Sequence, residues 1–167
     1  MLLWNRRLLA GLNVLNWIVG LLLVATLGYI GFFAPDAFVA GALRHRISNP
    51  EAAVEWLRWV TIITAPVILL AHLILTRLIA MIDDLRAGNP FTGTSATRLR
   101  HIAWALLGIQ LLDFAFGLVS INASEETGEY FGWSFGLTGW LAVLLLFILA
   151  RVFERGATMQ DELERTI

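Results

Sequence analysis

Asp113 is the only acidic residue in the apolar run 102–122. A charged side chain at the centre of a membrane helix costs roughly 3 kcal/mol on the insertion scale, so such a residue is by default a functional candidate. Gln110 lies three residues earlier, on the same side of a helix. Both are therefore expected to face the interior of a bundle. Two roles fit Asp113: a carboxyl acting on an ion or ligand, or a protonated or hydrogen-bonded group that fixes helix packing. No second acidic residue inside an apolar run completes a proton relay.

His72 sits in another apolar run, and Asn16 of the first run should lie at a similar depth, with Asn13 one turn away. A His–Asn contact is expected. At about 1.5 Å of rise per residue, Asp113 lies roughly 9 Å further out than His72, too far for direct pairing. A haem needs axial ligands, yet only this histidine is embedded, since His45 and His101 fall near opposite surfaces. The chain has no cysteine, which removes disulfides and thiolate metal sites. Asp83 and Asp84, or Glu125, Glu126 and Glu129, could gather a hard cation, although solvated surface charge is the commoner reading. No serine, histidine and aspartate converge, and no glycine loop of phosphate-binding type follows a strand. Neither enzyme activity, a metal nor a cofactor is expected.

The elements that must position these residues are long and apolar. The chain has 167 residues, 58% hydrophobic and 15% charged, more apolar surface than one soluble core of that size hides. Residues 8–33, 59–76 and 131–150 carry no charge, and 102–122 carry only Asp113. Crossing roughly 30 Å of hydrocarbon takes about 20 helical residues, so four blocks predict four membrane helices. Residues 1–167 are read as one all-α domain, an integral membrane four-helix up-down bundle. Its helices are expected at 8–33, 50–87, 95–122 and 131–163, with a short interfacial helix at 36–47.

Every basic residue is an arginine. With both termini cytoplasmic, nine of the twelve (6, 7, 77, 86, 98, 100, 151, 155 and 165) fall inside, leaving Arg44, Arg46 and Arg58 outside. That split favours cytoplasmic N- and C-termini.

The connections carry their own signals. Asp36 is expected to cap the interfacial helix, and Asn49 to cap helix two with Pro50 at its first position. Pro66 removes a donor within helix two, and Thr61, Thr64 or water could satisfy the freed carbonyl. Gly132-Trp-Ser-Phe-Gly136 has the small-xxx-small spacing that lets membrane helices approach, here for internal packing or, less often, for a homo-oligomer. In "DDLRAGNPFTGTSATRLRHI", Gly88 can end helix two in the left-handed region and Pro90 prevents its continuation. Thr92, Thr94 or Ser95 can then cap helix three, with Phe91 packing back on the helix ends. Arg98 and Arg100 belong near headgroups. The bland reading of this corner is a rigid hairpin loop, the sharper one a docking surface.

Two stretches resemble a family of small bacterial four-helix membrane proteins, domain of unknown function 2975. One is "LRAGNPFTGTSATRLRHIA": the family's Gly-x-Pro-Phe corner, Asn cap and Leu-Arg stand here as Gly88, Pro90, Phe91, Leu99 and Arg100, with Ser95 in place of the Asn. The other is the end "ARVFERGATMQDELERTI". It matches a Val-Phe-Arg-x-Gly run closing on Glu-x-Thr-Val, through Val152, Phe153, Gly156, Glu162, Glu164, Thr166 and Ile167. Glu154 stands where a basic residue is common. The resemblance implies a bacterial inner-membrane location and genes that neighbour a small helix-turn-helix regulator. The expected function is non-enzymatic, with the 83–100 corner and the 151–167 tail as a cytoplasmic docking face for such a regulator. The expected partners are thus the bilayer and that protein, with no direct nucleic acid. The alternative is a small transporter, channel or lipid-binding bundle using Asp113, Gln110, His72, Asn16 and Asn13.

Overall fold

A computed structural model of the chain describes residues 2–44, 47–87 and 93–164, with side chains from residue 3 to 159 within those ranges. The described residues are helical almost throughout, without strands. The elements are α1 (Leu2–Gly28) running into a π-helical turn (Tyr29–Phe33), α2 (Pro35–Arg44), α3 (Pro50–Arg86), α4 (Gly93–Thr127) and α5 (Leu137–Glu164). Four of these stretches are long and apolar enough to cross a membrane: Leu3–Phe33, Pro50–Arg86, Gly93–Thr127 and Leu137–Met159. The chain is an all-α protein with membrane-spanning helices.

It divides into two compact units. The first comprises Met1–Asn16, Leu70–Gln110 and Leu137–Ile167. Within it, Arg6 meets Asp83 and Asn13 meets His72, so α1 and α3 run antiparallel. Arg98 meets Asp84 on α3, and Trp104 stacks edge-on against Phe147 of α5 with ring centroids 5.2 Å apart. Its buried positions are mostly small, among them Ala96, Ala103, Ala105, Ala150 and Ala157. Lipid tails are as apolar as leucine, so helices associate through close backbone approach rather than hydrophobic burial.

The second unit comprises Trp17–Leu69 and Leu111–Gly136. Asn49 caps α3 as expected, its Oδ1 accepting from the Ala52 amide at 3.2 Å. Trp56 donates through Nε1 to Ser120 Oγ (3.1 Å) and packs on Phe131, with centroids 4.5 Å apart. Pro66 is accommodated inside α3. The neighbouring threonines do not serve the carbonyl it frees: Thr61 donates to Leu57 O and Thr64 to Val60 O, each closing its own turn.

Several expected boundaries move. Helix one starts at Leu2 instead of residue 8, since Arg6 is held on helix by its bond to Asp83. The interfacial helix begins at Pro35, which puts Asp36 in its first turn and not at its cap; a carboxylate there still complements the helix dipole. Helix three continues past 122 to Thr127, because the Ser124 and Thr127 hydroxyls fold back onto the Ser120 and Ala123 carbonyls instead of leading into a loop. Gly128, at φ +73°, ends it.

Helix four begins at Leu137, six residues later than expected, so Gly132–Gly136 is not a helical packing motif. The segment is non-helical and lays the Trp133 ring over α4. A Cβ on Gly117 would fall 2.3–2.6 Å from three of that ring's atoms. Gly117→Ala must therefore displace the ring, and overpacking of this kind typically costs about 1–3 kcal/mol. Thermal unfolding in detergent should show a clear fall in Tm for Gly117→Ala. Gly136→Ala, which meets open space, should leave Tm unchanged.

Candidate functional site

The polar groups of the apolar runs do not form one cluster. In the first unit, His72 Nδ1 lies 2.8 Å from Asn13 Oδ1. With the amide so oriented, Nδ1 is the donor. The expected His–Asn contact is thus made by Asn13, while Asn16 lies half-buried one turn along the same side of α1. Gln110 is half-buried and turned towards α5, its amide occupying the space above Gly139 where a Cβ would come within 2.4 Å.

Asp113 is different. It was expected to face the interior with Gln110, but it belongs to the second unit and is exposed. The close-packed places on that stretch of α4 go to rings: Phe116 lies against Trp56, and Gly117 receives Trp133. A carboxylate pushed among them without donors would carry a heavy penalty. The Trp133 indole Nε1 is itself buried and has no hydrogen-bond partner among the described residues.

The arginine-rich end of the first unit is more elaborately built. Arg6 Nε donates to Asp83 Oδ1 at 2.9 Å, and Arg86 lies 3.8 Å from the same oxygen. Arg98 forms a direct ion pair with Asp84 and also donates to the Ala80 carbonyl at 3.1 Å. These contacts join α1 to α3 and α3 to α4. Gly88, Pro90 and Phe91 lie outside the described residues. Thr92, Thr94 and Ser95 were the expected caps; Thr92 lies outside the described residues, while the helix is complete back to Gly93, whose carbonyl accepts from Thr97 Oγ1 (3.0 Å), which puts Thr94 and the buried Ser95 within the first turn.

A surface cleft of about 360 Å³ opens where α4 and α5 adjoin, lined by Ala96, Arg100, Phe147, Ala150, Arg151 and Glu154 among others. Arg100 and Arg151 are both exposed. Sequence reasoning placed Arg100 on the corner and Arg151 at the start of the tail without bringing them together; each is the charged residue that bounds an apolar run. It also missed Trp56, Gly117 and Trp133, whose pairing no local spacing announces.

The tail of α5 is helical to Glu164. Phe153 and Gly156 are half-buried and Ala157 is buried, marking its packed side. Val152 and Met159 point away, 58% and 66% exposed. The side chains of Glu162 and Glu164 lie outside the described residues.

No curated protein and no solved structure matches the chain. Residues 43–167 match the family described as "Protein of unknown function (DUF2975)", a stretch that takes in all of α3, α4 and α5 and both segments in which the resemblance was seen. The chain belongs to the DUF2975 family.

Proposed function

We propose that this is a non-enzymatic protein of the bacterial inner membrane, with both termini cytoplasmic and a docking face at its arginine-rich end. The occupant of that face is a small helix-turn-helix regulator of the kind that the family resemblance implies as a genomic neighbour. The carrying observation is the tail of α5. That helix has 28 residues, about 42 Å at about 1.5 Å per residue, against roughly 30 Å of hydrocarbon. Its last part therefore stands in water and keeps Met159 exposed, with Val152 exposed on the same side nearer the membrane and Arg151 and Arg155 close by. Apolar groups seven residues apart share a helix face, and an apolar strip rimmed by arginines suits an amphipathic partner with acidic edges.

The test is co-purification with the neighbouring regulator from native membranes. Val152→Glu combined with Met159→Glu should abolish capture while leaving Tm in detergent nearly unchanged, because substitutions at such exposed positions usually alter stability by under about 0.5 kcal/mol. Undiminished capture by the double variant would refute the docking face.

A further inference from the structure

Arg100 and Arg151 enter the cleft from α4 and α5, and neither has an ion pair or hydrogen bond among the described residues. In the same unit, Arg6, Arg86 and Arg98 are each matched to Asp83 or Asp84. Two like charges in one cleft repel, and an anion shared between them removes that repulsion while offering oxygens to both guanidinium forks.

Their depth narrows the kind of anion. Arg151 is the first charged residue after the uncharged run 131–150, and Arg100 stands two residues before the run 102–122. Both therefore sit where hydrocarbon gives way to headgroups. The remaining lining is largely apolar: Ala96, Ala150 and Phe147, the last backed by the edge-on ring of Trp104. A ligand that fits must be anionic at one end and oily at the other.

We propose that this cleft is a binding site for an anionic phospholipid, its phosphodiester held between Arg100 and Arg151 and an acyl chain lying along Phe147. Glu154, also on the lining, repels a second negative charge and can accept hydrogen bonds from headgroup hydroxyls. The site therefore favours a singly charged glycerol headgroup, as in phosphatidylglycerol. Basic pockets between membrane helices are the usual form of such recognition. The inference rests on the membrane-spanning architecture and is independent of the docking face.

The full chain, purified in a zwitterionic detergent without any partner, is titrated with short-chain phosphatidylglycerol and, separately, with phosphatidylcholine of the same chains. The rise in Tm reports binding. Phosphatidylglycerol should stabilise the protein saturably and phosphatidylcholine should not. Arg100→Gln with Arg151→Gln should raise the half-saturating concentration about thirtyfold, taking each arginine near the surface as worth about five- to sixfold in affinity on the anionic-lipid scale. Its Tm without lipid should be unchanged, since neither side chain has a partner to lose among the described residues. Equal stabilisation by the two lipids would overturn the proposal, as would an undiminished response in the double variant. An equal loss on Arg155→Gln, just outside the cleft, would reduce the effect to diffuse surface charge and overturn it too. Glycerophosphoglycerol, the headgroup without chains, should give no saturable shift at the same concentrations; a full shift would assign the cleft to a soluble phosphodiester instead.

Discussion

Trp56→Ala should lower the stability of the folded protein by about 3 kcal/mol, read as the shift in a denaturation curve in mixed micelles. Truncating a large aromatic in a packed site typically costs about 3–5 kcal/mol, and the lower end applies because Trp56 is only half-buried. Two losses combine. The ring leaves its place against Phe131 and Phe116, and the Ser120 hydroxyl, 1% exposed, loses its indole donor. Trp56→Phe separates them by keeping an aromatic ring while removing the donor, and should cost about 1 kcal/mol. Trp59 lies one turn away and is 46% exposed, so Trp59→Ala should be the milder change. Equal effects at 56 and 59 would mean that the ring cluster does not hold α3 against α4.

The second large effect is expected at Arg98. Breaking a buried ion pair by removing one partner costs about 3–5 kcal/mol. Here the side chains of Arg98 and Asp84 remain 20% and 28% exposed, so about 2 kcal/mol is the appropriate expectation for Arg98→Ala. The same substitution strands the Ala80 carbonyl, which accepts from the guanidinium. Arg6→Ala provides the contrast. Its pair with Asp83 has exposures of 44% and 43%, and pairs as wet as that are worth at most about 1 kcal/mol. A double-mutant cycle with Asp84→Asn and Arg98→Met isolates the pairwise contribution, and a coupling near zero would show that the carbonyl contact alone matters.

The long elements were legible because hydrocarbon imposes a length, and an uncharged block announces itself without reference to the rest of the fold. Asn49-Pro50 was legible for a similar reason, since a cap and the proline after it act on their own backbone. Asp113 shows where that reasoning stops. Facing inward is the sound expectation for a lone carboxyl in an apolar run, but the interior there was already claimed by Trp133 on Gly117. That claim depends on a non-helical segment sixteen residues further along the chain. Gly132 and Gly136 misled in the same way: their spacing suits a helix, and the demand of Trp133 for the Gly117 notch is invisible until α4 is folded. Contacts made by side chains of one element on the shape of another carry no local mark.

The first helix illustrates a different kind of concealment. Its covered side runs through Asn13, Asn16, Gly20, Val24, Gly28 and Gly31, while its leucines and isoleucines are mostly exposed. Size rather than polarity marks its contact face, and a Cβ on Gly20 would fall 2.6 Å from Ile68. Such a rod, oily on nearly all sides, carries little information of its own about rotation or depth. Those are supplied by α3, through Asp83 to Arg6, His72 to Asn13, and Arg58, whose Nε donates to the Gly31 carbonyl at 2.7 Å. During synthesis α1 must therefore wait in the bilayer for its position to be assigned. Biogenesis gives this chain an order of events: the second span arrives as the ruler against which the first is set.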